Sequence, residues 1–146
     1  MSRPSVGYRF LEHMTDAEIE ATGNTMDEAF ENAGRAVEDL MVDVDSISPG
    51  ISRQVQRVDK DLESLLYDWI ESLIILQDEE GMLFSQFSCK ITMPSNTQFQ
   101  LHAKLSGEKF DPKKHEQKTA VKAPTFHDMK ISQTHESVTL RFLVDL

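Results

Sequence analysis

The stretch AEIEATGNTMDEAFENAGRAVEDLMVD, residues 17–43, changes period halfway along. Ala17, Ile19 and Ala21 alternate with Glu18, Glu20 and Thr22, the period-two pattern of a half-buried strand. From Thr25 the apolar positions are Phe30, Ala33, Val37, Leu40, Met41 and Val44, three and four apart, which is one stripe of a helix. Thr25 is a natural N-cap, and Glu28 stands at the capping-box position three residues on. A strand running straight into an amphipathic helix requires a sheet and a helix that share one core.

The same two periods account for the rest of the chain. The segment DLESLLYDWIESLIILQDEEG, residues 61–81, puts Leu62, Leu65, Leu66, Trp69, Ile70, Leu73 and Ile74 on one helical face. Asp61 and Glu63 favour its start, and Gly81 can end it. Between the helices SISPG reads as a turn and ISRQVQRV, residues 51–58, as a strand with a long polar face. Beyond Gly81 come MLFSQFSCKIT and TQFQLHAKLSG, a hairpin about MPSN, then the charged loop EKFDPKKHEQ. KTAVKAP and FHDMKIS read as two short strands broken at Pro124, and SVTLRFLVDL as a last strand with Val138, Leu140, Phe142 and Val144 on one face. About seven strands and two long amphipathic helices predict an α+β fold, a two-layer sandwich of helices on a mainly antiparallel or mixed sheet.

The 146 residues suit one domain, 1–146, with 39% hydrophobic and 27% charged residues. No apolar run approaches a membrane span and no signal core opens the chain, so a cytoplasmic protein with no membrane partner is expected. Cys89 is a lone cysteine in an alternating strand, read as a packed thiol. The net charge of −10 is unevenly placed: residues 1–80 carry 19 acidic and 6 basic side chains, residues 81–146 carry 6 and 9. Such a surface repels phosphate backbones and suits a basic partner or a cation. Nucleotide loops, the GxSxG elbow, HExxH and paired cysteines are all missing, which leaves little for nucleophilic catalysis.

The polar residues that remain are few. Asp145 lies opposite the apolar face of the last strand, beside the oxygens of Leu146, and Asp16 lies on the polar face of the first alternating strand. If those strands are neighbours, the two carboxylates can share a hard cation such as Ca²⁺ or Mg²⁺; otherwise they are solvated strand ends. His13 can be a ligand, a turn residue or, the favoured role, a hydrogen-bonding partner of Asp16, because imidazole suits transition metals better. His127 shares parity with Thr125, Met129 and Ile131 and reads as an interior histidine. Lys118 and Lys122, four apart, can form a cationic strand edge for a carboxylate or phosphate.

Taken in order, FLEHMTDAEIEATG, DEAFENAGRAVEDLM, DLESLLYDWIESLIIL, EEGMLFSQF, GEKFDPKKHEQKTAVKAPTFHDM and FLVDL resemble the archease family over nearly the whole chain. The resemblance implies a protein activator, not an enzyme, that serves the GTP-dependent tRNA-splicing ligase. It implies promotion of guanylylation and multiple turnover of that ligase, a broader choice of nucleotide, and contact with RNA only through the ligase. It further implies a divalent cation, Ca²⁺ first and Mg²⁺ or Mn²⁺ next, held by Asp16, Asp145 and a backbone oxygen of Leu146, with Lys122 as the functional lysine of the VKA block. Where many members read HTADVGIE this chain reads HMTDAEIE, so Glu18 brings a charge beside the site and either joins it or faces water. A small metal-dependent phosphoester hydrolase, with Glu18 or His13 as base, and a metal-independent acidic scaffold or chaperone-like module are the competing expectations.

Overall fold

The computed structural model describes residues 7–11 and 15–146. Its strands are β1 (Tyr8–Leu11), β2 (Asp16–Gly23), β3 (Ile51–Asp59), β4 (Met82–Ser95), β5 (Gln98–Lys109), β6 (Ala123–Gln133) and β7 (Val138–Asp145). Its helices are α1 (Met26–Met41) and α2 (Leu62–Glu80), with a short 3₁₀ turn at Val44–Ser46. The α+β class is what is found, with antiparallel ladders throughout the described strands. The strands divide into two sheets, ordered β1-β2-β7-β6 and β3-β5-β4. Each helix packs against both. No helix of the described residues is long and apolar enough to cross a membrane.

The helices begin and end as their sequences require. The Thr25 hydroxyl accepts the Glu28 N–H at 3.1 Å, and the Glu28 carboxylate accepts the Asn24 N–H at 3.0 Å. Such a cap contributes about 1 kcal/mol. Asp61 caps α2 by accepting the Ser64 N–H at 2.7 Å. Gly81 ends α2 in the left-handed region, φ +66°, and its N–H returns to the Gln77 carbonyl.

The core lies where the helices meet the sheets. Ile19, Phe30, Leu65, Leu66, Trp69, Ile70, Phe84 and Phe142 are fully buried there. Trp69 keeps its indole N–H satisfied by donating to the Phe30 carbonyl at 2.8 Å. Cys89 is buried, and burial raises its thiol far above the usual range, as a packed thiol requires.

One face of α1 also closes the edge of β4. Asp27 accepts the Ile91 N–H and Glu31 the Cys89 N–H, each at 2.9 Å, while Arg35 donates to the Ser85 carbonyl at 3.1 Å. Residues four apart on a helix thus stand in for a neighbouring strand, which protects an otherwise open edge. Glu38, one turn further, is fully buried, and neither of its carboxyl oxygens has a hydrogen-bond partner. Burial pushes this carboxyl well above its ordinary range; the Phe84 backbone amide lies near but not in hydrogen-bonding geometry, and offsets only part of the effect.

The sign of the consequence is fixed. As pH rises through the ordinary carboxylate range the unfolded chain releases the Glu38 proton and the folded chain keeps it, so stability falls until the folded group ionises. Glu38→Met is therefore expected to stabilise the protein by about 2 kcal/mol at pH 7 and by much less at pH 4. Urea unfolding of both chains at the two pH values measures this; an equal gain at both would refute it.

Candidate metal and partner site

β2 begins at Asp16 and β7 ends at Asp145, and the two residues face each other in the antiparallel register. Directly opposed residues have Cβ atoms about 5 Å apart, and like charges so placed repel. Strand alternation explains the placement: Ala17 and Val144, the next pair inward, are buried, so Asp16 and Asp145 share the other face. Asp16 is half-buried and Asp145 exposed. Among the described residues Asp145 makes no side-chain ion pair, and no third histidine, cysteine or acidic side chain joins the two into a metal-ligand cluster. Leu146 follows, packed partly against the core, so its backbone lies at the same strand end.

Countercharge is concentrated at the far end of the same face. Glu20 receives Arg141 at 2.7 Å and Arg9 at 2.9 Å, and these hydrogen bonds hold its carboxyl below the usual range. Glu18 stands opposite Leu143, between that cluster and Asp16; the Glu20 hydrogen bond, with a smaller contribution from the Glu18 charge, raises Arg141 above its ordinary value.

On the other side of β7, Ala123 pairs with Asp145, and the Lys122 N–H donates to the Asp145 carbonyl at 2.8 Å. Asp16, Asp145, Leu146 and Lys122 are thus brought to one end of the four-stranded sheet. His13 lies outside the described residues.

Three sequence expectations are corrected here. Residues 118–122 are not a strand, so Lys118 and Lys122 form no cationic edge. The Lys118 N–H caps the Met41 carbonyl at the end of α1, and its ammonium lies 3.9 Å from Asp39, whereas Lys122 belongs to the β7 end. Nor do two short strands meet at Pro124: β6 runs through it from Ala123 to Gln133, with a break in register between Thr125 and Lys130 and Asp128 at φ +56°. That irregularity defeats the parity argument for His127. Its side chain is 76% exposed and sits 3.3 Å from the Asp128 carboxylate.

The sequence reading also passed over His115, which is buried inside the charged loop. Its Nδ1 accepts the Asp111 N–H at 2.9 Å, so the proton must sit on Nε2, which donates to Glu108 at 2.8 Å. Lys114 and the Ser48 N–H converge on the same Glu108 carboxylate, and with Lys114 foremost they hold it down at about 2. The Asp-Pro pair at 111–112 was the available signal: the Asp111 carboxylate accepts the Lys113 N–H, an Asx turn that folds the loop back over His115. This lock fixes the segment that straps the end of α1 and delivers Lys122 to Asp145.

The fold and the paired strand-end carboxylates define a class: a small α+β protein with an acidic, oxygen-rich tip. The Archease protein family (MTH1598/TM1083) model matches residues 8–146, and the chain belongs to that family. It is 46% identical over 139 residues to the protein archease of Sulfurisphaera tokodaii, covering 95% of this chain and 98% of that one. To the protein archease of Pyrococcus furiosus it is 43% identical over 126 residues, 86% of this chain and 88% of that one. The solution structure of Methanobacterium thermoautotrophicum protein 1598 superposes with a TM-score of 0.85 at 34% identity, covering 97% and 99% of the two chains. The crystal structure of a Thermotoga maritima archease, described as a possible chaperone, gives a TM-score of 0.60 at 18% identity over 93% and 94%, a likeness of fold alone.

Proposed function

We propose that this archease activates the cytoplasmic GTP-dependent tRNA-splicing ligase, promoting its guanylylation and repeated turnover and widening its choice of nucleotide. The observation that carries the reading is the register that sets Asp16 opposite Asp145 at an open strand end. The donor set fits a hard divalent cation: two carboxylates and the Leu146 backbone oxygen would hold Ca²⁺, or Mg²⁺ or Mn²⁺ in its place. These donors supply fewer than the roughly six to eight oxygens that Ca²⁺ takes, so positions remain for a phosphate or for a group on the ligase. Bound there, the ion would neutralise phosphate charge that develops during nucleotidyl transfer.

The chain's own residues do the rest. Asp16 and Asp145 relieve their mutual repulsion by sharing the ion, which binds the ends of β2 and β7 together. Lys122, held beside Asp145 by its main chain, presents an ammonium to a phosphate or an acidic ligase group. The acidic excess of residues 1–80 draws the protein toward a basic RNA-binding cleft. RNA is met only through the ligase.

The test is guanylylation of the ligase by labelled GTP, with an RNA carrying a 3′-phosphate or cyclic phosphate, with and without this protein. Faster labelling and more than one sealed product per ligase are expected. An unchanged rate would overturn the reading, and phosphoester turnover by this protein alone would favour a hydrolase. Full stimulation in excess chelator would favour the metal-independent scaffold.

A further inference from the structure

A cavity of about 300 Å³ lies where α1 and α2 end. Met41 closes it from α1, Gln77 and Asp78 from α2, and Phe110, Gln117 and Thr119 from the loop beyond β5. Two helix C-termini face this space, and the Lys118, Thr119 and Gly81 N–H groups occupy the Met41, Leu40 and Gln77 carbonyls and reduce, without cancelling, the negative end of each dipole. Helices commonly offset this with lysine or arginine in the last turn, and neither helix has one. The last turn of α2 instead reads Asp78, Glu79, Glu80. Glu80 is paired with Arg53 at 2.9 Å, whereas Asp78 makes no ion pair among the described residues. No lysine or arginine lines the cavity; Lys114 binds Glu108 and Lys118 lies by Asp39, while Lys109 and Lys122 adjoin lining residues along the chain. The lining itself therefore offers the Asp78 carboxylate and the Gln77 and Gln117 amide oxygens, and no cation.

We infer that this cavity receives an arginine side chain from a partner protein with a basic surface. The guanidinium matches the lining. Its planar fork of donors suits the Asp78 carboxylate together with the side-chain oxygens of Gln77 and Gln117, and its face suits the partly exposed Phe110 ring. A protein partner follows from the charge map, because both helices belong to the 80 residues that carry 19 acidic and 6 basic side chains. Docking here has a consequence for the strand-end site. The wall formed by Gln117 and Thr119 leads along the chain to Lys122, whose N–H holds the Asp145 carbonyl, so one short segment joins the cavity to the strand-end site. The guest's chemistry is independent of the ligase reading.

The test uses the full chain and N-acetyl-arginine methylamide as probe, followed by amide chemical shifts. Shifts are expected at Asp78, Phe110 and Thr119. The Asp78→Asn variant, and the citrulline counterpart of the probe, are each expected to raise the Kd at least about threefold. The amide spectrum of Asp78→Asn is expected to match the wild type away from the cavity, which certifies its fold. Equal binding by the citrulline probe, shifts confined to other acidic surfaces, or no shifts would overturn the inference.

Discussion

Asp145→Ala is expected to return ligase guanylylation to the rate of the ligase alone while leaving the protein folded. The two halves of that expectation have separate causes. The Asp145 side chain is exposed, and what joins this residue to its neighbours is main chain: its pairing with Asp16 and Ala123, and its carbonyl on the Lys122 N–H. Alanine preserves all of these, so the unfolding free energy should move by no more than about 0.5 kcal/mol. The same change removes half of the carboxylate pair that is proposed to hold the cation. Asp16→Ala should give the same loss, and the double variant should be no worse than either single one, because two ligands of one ion act as a unit. Stimulation that survives in both single variants would remove the carboxylates from the account.

Gly107→Ala should cost at least about 3 kcal/mol of stability, more than any surface change in the molecule. Gly107 sits in the middle strand of the three-stranded sheet, paired with Ile51 on one side and Phe84 on the other, beside the register shift between Phe84 and Gln86. A Cβ there would run into the Leu83 carbonyl oxygen and lie 2.7 Å from the Phe84 Cα. Both are backbone atoms, so no side chain can rotate away. The ladder must open next to Leu83, Phe84 and Leu105, all fully buried. Gly50→Ala is the matched control, since a Cβ at Gly50 meets nothing within 4 Å. Urea midpoints of the two variants should differ widely, and similar midpoints would contradict the packing described.

Much of this architecture was legible in the residues. Both helices could be read because Thr25, Asp61 and Gly81 mark their ends and the stripe through Phe30, Val37, Leu65 and Trp69 has only one helical solution. β2 and β7 could be read because their alternation is unbroken. What linear pattern could not carry was pairing. Nothing near Asp16 states that β7 is its neighbour, and the division into two sheets depends on contacts between distant segments. Parity failed where the backbone departs from regular extension, at Asp128, and so His127 was placed inside when it lies outside. His115 escaped notice for a related reason. A lone histidine among lysines and glutamates looks solvated until the Asx turn at Asp111 folds the loop over it. Glu38 sits among the charges of α1 with nothing in its local sequence to single it out, and it is tertiary packing, with Phe84 of β4 close by, that buries it.

The most direct measurement is calorimetric titration of the purified protein with Ca²⁺, Mg²⁺ and Mn²⁺, alongside Asp16→Asn and Asp145→Asn. The carboxylate pair predicts one cation per chain and loss of binding in each variant, with unfolding curves otherwise unchanged. Wild-type affinity retained in both variants, or no binding of any of the three ions by the wild-type chain, would contradict it.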